Sequence, residues 1–182
     1  MTVESPSLPE LVQVVHSKDG DFSSKLVSLV DRQPGQVLAP IQGAVLVNQR
    51  AYTSVQVSED VDCELNSDLV YANHSCDPSV VFDMAKLEVR VVAGQPLKKG
   101  QDVTFFYPST EWDMQQPFDC HCANGSCLGK LQGARYLKDD VLRKYWLSPH
   151  ICRLVEKRVQ DAKHRMGING NSGDPNGAVC EV

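Results

Sequence analysis

Three of the seven cysteines fall close together, in Cys120-His-Cys122-Ala-Asn-Gly-Ser-Cys127, while Cys63, Cys76, Cys152 and Cys180 stand apart. An odd total cannot pair fully within one chain. Clustered thiols more often hold a metal, and thiolate is the favoured structural ligand of zinc, which takes four donors in a tetrahedron. This spacing wraps three donors around one ion, with Asn124 and Gly125 supplying the turn. A fourth must come from elsewhere. The side chain of His121 should point away from a metal held by both its neighbours. Cys76, in a turn with Asp77 and Pro78, is the best remaining candidate. The competing interpretation is three coincidental buried thiols. Cys63 and Cys152, being isolated, read as small buried hydrophobes.

The rest of the chain must position this cluster. Its 182 residues suffice for one domain with a sizeable core. A content of 42% hydrophobic and 23% charged residues is that of an ordinary globular protein. The formal charge of −5 argues against a protein that grips nucleic acid by net positive charge. Lys130, Arg135, Lys138, Arg143 and Lys144 make one segment locally basic; it reads as a solvated face rather than a nucleic-acid site. No apolar run approaches the roughly 20 residues that span a bilayer. The start, Met1-Thr-Val-Glu-Ser-Pro, lacks the features of a signal peptide. An intracellular location, cytoplasmic or nuclear, is therefore expected, and there disulfides seldom persist.

Short β-branched runs recur about every ten residues: Leu11–Val15, Gln36–Leu38, Ala44–Val47, Tyr52–Val57, Ser79–Asp83, Leu87–Val92 and Val103–Tyr107. Met84-Ala-Lys86 sits between two of them as in a hairpin. Residues 58–68 read as a polar stretch. This pattern predicts a mainly β fold. From Lys138 to His164 the apolar spacing becomes helical, and Ser148-Pro149 splits it into two helices, because the residue before proline avoids the helical region. Residues 1–10 form a loose lead-in, and residues 167–182, rich in glycine and asparagine, a disordered tail.

Two further motifs give the cluster a context. Asn73-His-Ser-Cys-Asp-Pro78 resembles the signature near the active site of SET-domain protein methyltransferases. Val103-Thr-Phe-Phe-Tyr107 resembles their following strand, which ends in a functional tyrosine. Cys120-x-Cys122-x4-Cys127-x-Gly129 resembles the post-SET segment of that family. The order of the three is specific, and the resemblance covers residues 11–137.

The resemblance implies a SET-like fold of small curved β-sheets with a C-terminal pseudoknot, a zinc-bound post-SET loop and C-terminal helices. It divides the chain into a SET-like domain at 11–117, a post-SET zinc segment at 118–137 and helices at 138–166. It implies S-adenosylmethionine contacts at Gly20, Asn73 and His74, a catalytic role for Tyr107, and one structural zinc held by Cys76, Cys120, Cys122 and Cys127. Trp112 and Phe118 are candidates for the aromatic residue that often lines the substrate channel.

The sequence also departs from the pattern. Lys18-Asp-Gly-Asp21 keeps one of the two usual glycines of the cofactor loop, Ser79 replaces a common asparagine, and Phe106 a common aspartate. The span from Gly20 to Asn73 leaves little room for the insert that helps recognise peptides. The expected activity is S-adenosylmethionine-dependent methylation of a protein lysine. The alternatives are an inactive SET-like scaffold that acts as a binding module and a pocket repurposed for a small molecule.

Overall fold

The computed structural model describes residues 6–17, 24–165 and 180. Strands β1 (Val12–Val15) and β2 (Lys25–Ser28) pair antiparallel. Strand β3 (Val37–Pro40) precedes a small separate sheet of β4 (Val45–Val47), β5 (Ser54–Gln56) and β6 (Asp62–Glu64), ordered β4-β6-β5. After a 3-10 turn at Asp68–Tyr71 comes β7 (Asn73–His74). Strands β8 (Val80–Asp83) and β9 (Glu88–Val91) form a hairpin that adds to β3 in the order β3-β9-β8. Strand β10 (Thr104–Phe105) then lies parallel to β7, and β11 (Phe118–Asp119) pairs antiparallel with β12 (Lys130–Leu131). Two helices follow, α1 (Asp139–Leu142) and α2 (Pro149–Arg165). The fold is mainly β with few helices, as the strand pattern predicts.

Two cores hold these elements. Leu26, Leu38, Val80, Phe82, Val89, Leu97 and Val103 fill the first, between the small sheets. Phe106, Ala134, Leu142, Leu147, Ile151 and Val155 fill the second, under the C-terminal helices. Phe105 and Phe106 divide between them because successive strand residues face opposite sides. Phe105 stacks on Phe82 at 4.2 Å in the first core, and Phe106 on Tyr145 at 3.7 Å in the second. Phe106, where the family commonly has aspartate, thus anchors the helices.

Several local expectations need correction. The run ending at Tyr107 does not stay extended: its ladder stops at Phe105, and Tyr107–Ser109 form a 3-10 turn with Pro108, which has no N–H to donate. Strand β6 lies in the stretch read as polar; its Asp62 is buried because Arg50 pairs with it at 3.1 Å. Helix α1 covers one turn only. Cys63 is buried and free, as expected, whereas Cys152 is half-buried and disulfide-bonded to Cys180. The folded chain brings Cys152 and Cys180 together although they are 28 residues apart.

Candidate functional site

Parallel pairing of β7 with β10 sets Asn73 beside Thr104 and His74 beside Phe105. The strands are only two residues long, so flanking bonds secure them. The Ser75 N–H donates to the Phe105 carbonyl at 3.1 Å, and the Ser79 N–H to the Thr104 carbonyl at 3.0 Å. The Ser79 hydroxyl accepts the Thr104 N–H at 2.9 Å and donates to the Asp102 carbonyl at 2.9 Å. The serine that departs from the family pattern therefore performs a side-chain bridging task between the two segments.

Tyr107 follows directly. Its N–H donates to His74 Nδ1 at 3.2 Å, and its hydroxyl donates to the Ala72 carbonyl at 3.1 Å. Its ring meets those of His74 at 5.4 Å and Phe118 at 6.0 Å, edge to face. Burial pushes the phenol up to about 12; the His74 backbone amide opposes this and the Glu111 charge reinforces it. The hydroxyl thus stays protonated at neutral pH.

His74 links two chemistries. Since Nδ1 accepts the Tyr107 N–H, the ring proton is assigned to Nε2, which faces Cys76 Sγ at 3.3 Å. Burial lowers the imidazole to about 4, so it is neutral at physiological pH. Asn73 Nδ2 donates to the Ser24 carbonyl at 2.9 Å, and the Ser17 N–H to Ser24 Oγ at 3.1 Å. Gly20 lies outside the described residues. Of the two aromatic candidates, Phe118 sits at the site. Trp112 is elsewhere, under the Arg158 guanidinium at 5.6 Å.

The four cysteines singled out from the sequence converge: the Sγ atoms of Cys76, Cys120, Cys122 and Cys127 all lie within 4.8 Å of one another. Cys76 and Cys120 are 4.0 Å apart. Zinc–sulfur bonds of about 2.3 Å in a tetrahedron require a sulfur separation of about 3.8 Å, so the donor set fits zinc. His121 is exposed and outside the cage.

The loop is built for this shape. Ala123 adopts a left-handed φ of 54°, Asn124 Oδ1 accepts the Ser126 N–H, and the Asn124 carbonyl accepts the Cys127 N–H. Asn124 Nδ2 reaches Asp77 at 3.1 Å, which ties the loop to the Cys76 turn. The Leu128 N–H points at Cys76 Sγ at 3.4 Å, as suits a thiolate. Without a cation, burial pushes the Cys76 thiol up to about 11 and the Cys120 thiol higher still. A dication would reverse that tendency by holding the sulfurs deprotonated.

One network is absent from the sequence-based expectations. Glu111 Oε1 accepts the Gln56 N–H at 2.8 Å, while Gln56 Oε1 accepts the Trp112 N–H at 2.9 Å. Arg50 joins Asp62 to the Asp113 carbonyl, and His150 Nε2 meets the Thr110 carbonyl at 2.7 Å. This clamp binds the β4-β6-β5 sheet and helix α2 to the segment just after Tyr107. Burial raises the Glu111 carboxyl to about 7, with Asp62 adding to the shift and the Gln56 amide and Arg50 opposing it. The residues are scattered along the chain, so no spacing announces them.

Comparison with known proteins places this geometry. Residues 10–108, more than half of the chain, match the SET domain family. A methyltransferase of Aspergillus flavus, flvH, is 45% identical over 154 residues, covering 85% of this chain and 86% of that protein. A histone-lysine N-methyltransferase of Kluyveromyces lactis, H3 lysine-36 specific, is 28% identical over 88 residues, covering 45% of this chain and 12% of that protein.

Proposed function

The chain belongs to the SET-domain family, and we propose that it is an S-adenosylmethionine-dependent N-methyltransferase whose first candidate acceptor is a protein lysine. The observation that carries this reading is the junction at Tyr107, where a tyrosine hydroxyl is fixed on the Ala72 carbonyl while His74 holds its backbone. The cofactor supplies a methyl group on a positively charged sulfur, so alignment is the main demand on the protein, worth several kcal/mol.

Asn73 and His74 would contact the cofactor from β7, together with Gly20 from the stretch of sequence between β1 and β2. Tyr107 would orient the acceptor nitrogen through its hydroxyl; being protonated, it is a poor proton acceptor. A lysine amine, with an ordinary pKa of about 10.4, must lose its proton before attack, and desolvation beside a positive charge favours that loss. Phe118 would line the channel.

Residues 11–117 would form the SET-like domain, 118–137 the post-SET zinc segment and 138–166 the supporting helices. The parallel β7–β10 pair supports the pseudoknot expected of the family. Zinc, held by Cys76, Cys120, Cys122 and Cys127, would keep the channel wall in place and take no part in methyl transfer. No helix among the described residues is long and apolar enough to cross a membrane.

A second reading, methylation of a small amine, draws on one observation. The central insert is a sheet of three strands, each of three residues, which leaves little surface for gripping a peptide.

Calorimetric titration with S-adenosylmethionine or S-adenosylhomocysteine tests the proposal. Saturable binding is expected; its absence up to millimolar ligand would refute methyl transfer and leave a scaffold that serves as a binding module. Tyr107→Phe should retain that binding and slow turnover about 100-fold. Unchanged turnover would remove Tyr107 from the mechanism. A panel of lysine peptides and free amines separates the two acceptor classes.

A further inference from the structure

Cys76 is the cage thiol that lies outside the loop between β11 and β12, and it stands two residues beyond His74. Its backbone is fixed from the second core, where the Tyr145 hydroxyl donates to the Cys76 carbonyl at 2.8 Å. Two nitrogens face its sulfur, the Leu128 amide at 3.4 Å and His74 Nε2 at 3.3 Å. Donors in this outer layer stabilise a thiolate, orient it and tune the metal it holds.

The imidazole is locked in place around its whole edge. The rings of Phe106, Tyr107 and Phe118 meet it at centroid distances of 5.7, 5.4 and 6.0 Å. Its other nitrogen, Nδ1, accepts the Tyr107 N–H at 3.2 Å, and the Tyr107 hydroxyl is in turn fixed on the Ala72 carbonyl. One rigid ring therefore spans the distance from a cage sulfur to the backbone of Tyr107.

We propose that His74 is a positioning residue of the metal cage, which donates from Nε2 to the Cys76 thiolate and carries the state of the cage to Tyr107 through Nδ1. The path needs no other residue. A filled cage anchors the donor end of the ring and so fixes the tyrosine backbone; an emptied cage releases both. The inference rests on the zinc reading given under the proposed function and is independent of which acceptor is methylated.

Metal analysis of the full-length wild type comes first: a protein that binds no zinc would refute the zinc reading, and this inference with it. In the zinc-loaded wild type, nitrogen NMR of the imidazoles should place the His74 proton on Nε2. A proton on Nδ1 overturns the proposal and leaves the zinc reading intact. Two variants divide the tasks of the ring. In His74→Gln the side-chain amide replaces the Nε2–H donor, whereas in His74→Asn the side-chain oxygen replaces only the Nδ1 acceptor. Competition with a chelator should show His74→Asn binding zinc about 10- to 100-fold more weakly than the wild type, and His74→Gln recovering most of that loss. Wild-type zinc affinity in His74→Asn, or no recovery with glutamine, overturns the proposal. Exchanging zinc for cadmium should shift the Tyr107 amide signal in the wild type and much less in His74→Asn. Equal shifts would break the link to Tyr107, and the proposal with it.

Discussion

Glu111 shows how one buried residue sets a property of the whole chain. Its carboxyl lies at about 7 in the folded protein, above the ordinary carboxylate value, because burial disfavours the charge. Between about pH 4.5 and 7 the folded state keeps a proton that the unfolded chain releases. Stability contributed by this group is therefore complete at the acid end of that window and declines as pH rises through it. The full loss is up to about 3 kcal/mol. Chemical denaturation of wild type and Glu111→Gln at pH 6 and pH 8 measures it: the wild type should lose more stability between the two than the variant. Parallel losses would show that Glu111 is not held protonated. His150, lowered by burial, contributes in the opposite sense, losing stability as pH falls, and cancels in the comparison.

The chemistry of the thiol loop and its neighbours operates at the scale of elements. Strands β11 and β12 are two residues each, too short to hold a loop by their ladder alone. The cage closes that loop, so metal and fold should be coupled. Metal analysis should find about one zinc per chain. Cys122→Ser or a strong chelator should remove it and lower the unfolding midpoint. Full zinc occupancy in the variant would mean that the cage is held together otherwise.

A second element-level constraint lies at Gly133, where φ is 119° and an added Cβ would stand 2.5 Å from the Trp112 carbonyl oxygen. The contact is with backbone, which cannot swing aside. Gly133→Ala should cost at least about 2 kcal/mol in equilibrium unfolding; a neutral result would show that the segment after Tyr107 relocates freely.

At the scale of the whole molecule, two cores meet at Phe105 and Phe106, and the second carries the C-terminal helices. Arg158 fastens α2 to the segment before α1 by donating to the carbonyls of Ala134, Arg135 and Leu137 and pairing with Asp139. The Cys152–Cys180 disulfide adds a covalent tie at the start of the same helix. Loop-closure entropy for partners 28 residues apart predicts about 3.6 kcal/mol of stabilisation. Cys180→Ser should lower the unfolding midpoint under non-reducing conditions and have no effect in excess dithiothreitol. An equal effect in both would point to side-chain packing instead.

The sequence by itself determined the mainly β character, the start of the long C-terminal helix at Pro149 and the three clustered thiols, with Cys76 added to them through the resemblance. Alternating apolar residues, a proline and metal-ligand spacing are local signals or recurrent motifs. The joining of Tyr107 to His74 was legible only as a resemblance. Tertiary structure decided what depends on distant partners: the burial of Asp62 by Arg50, the clamp through Glu111 and Gln56, and the bond between Cys152 and Cys180. It also decided the meaning of two departures from the family pattern. Ser79 bridges β10, and Phe106 faces a second core, because only the folded chain brings Thr104 and Tyr145 within reach of them.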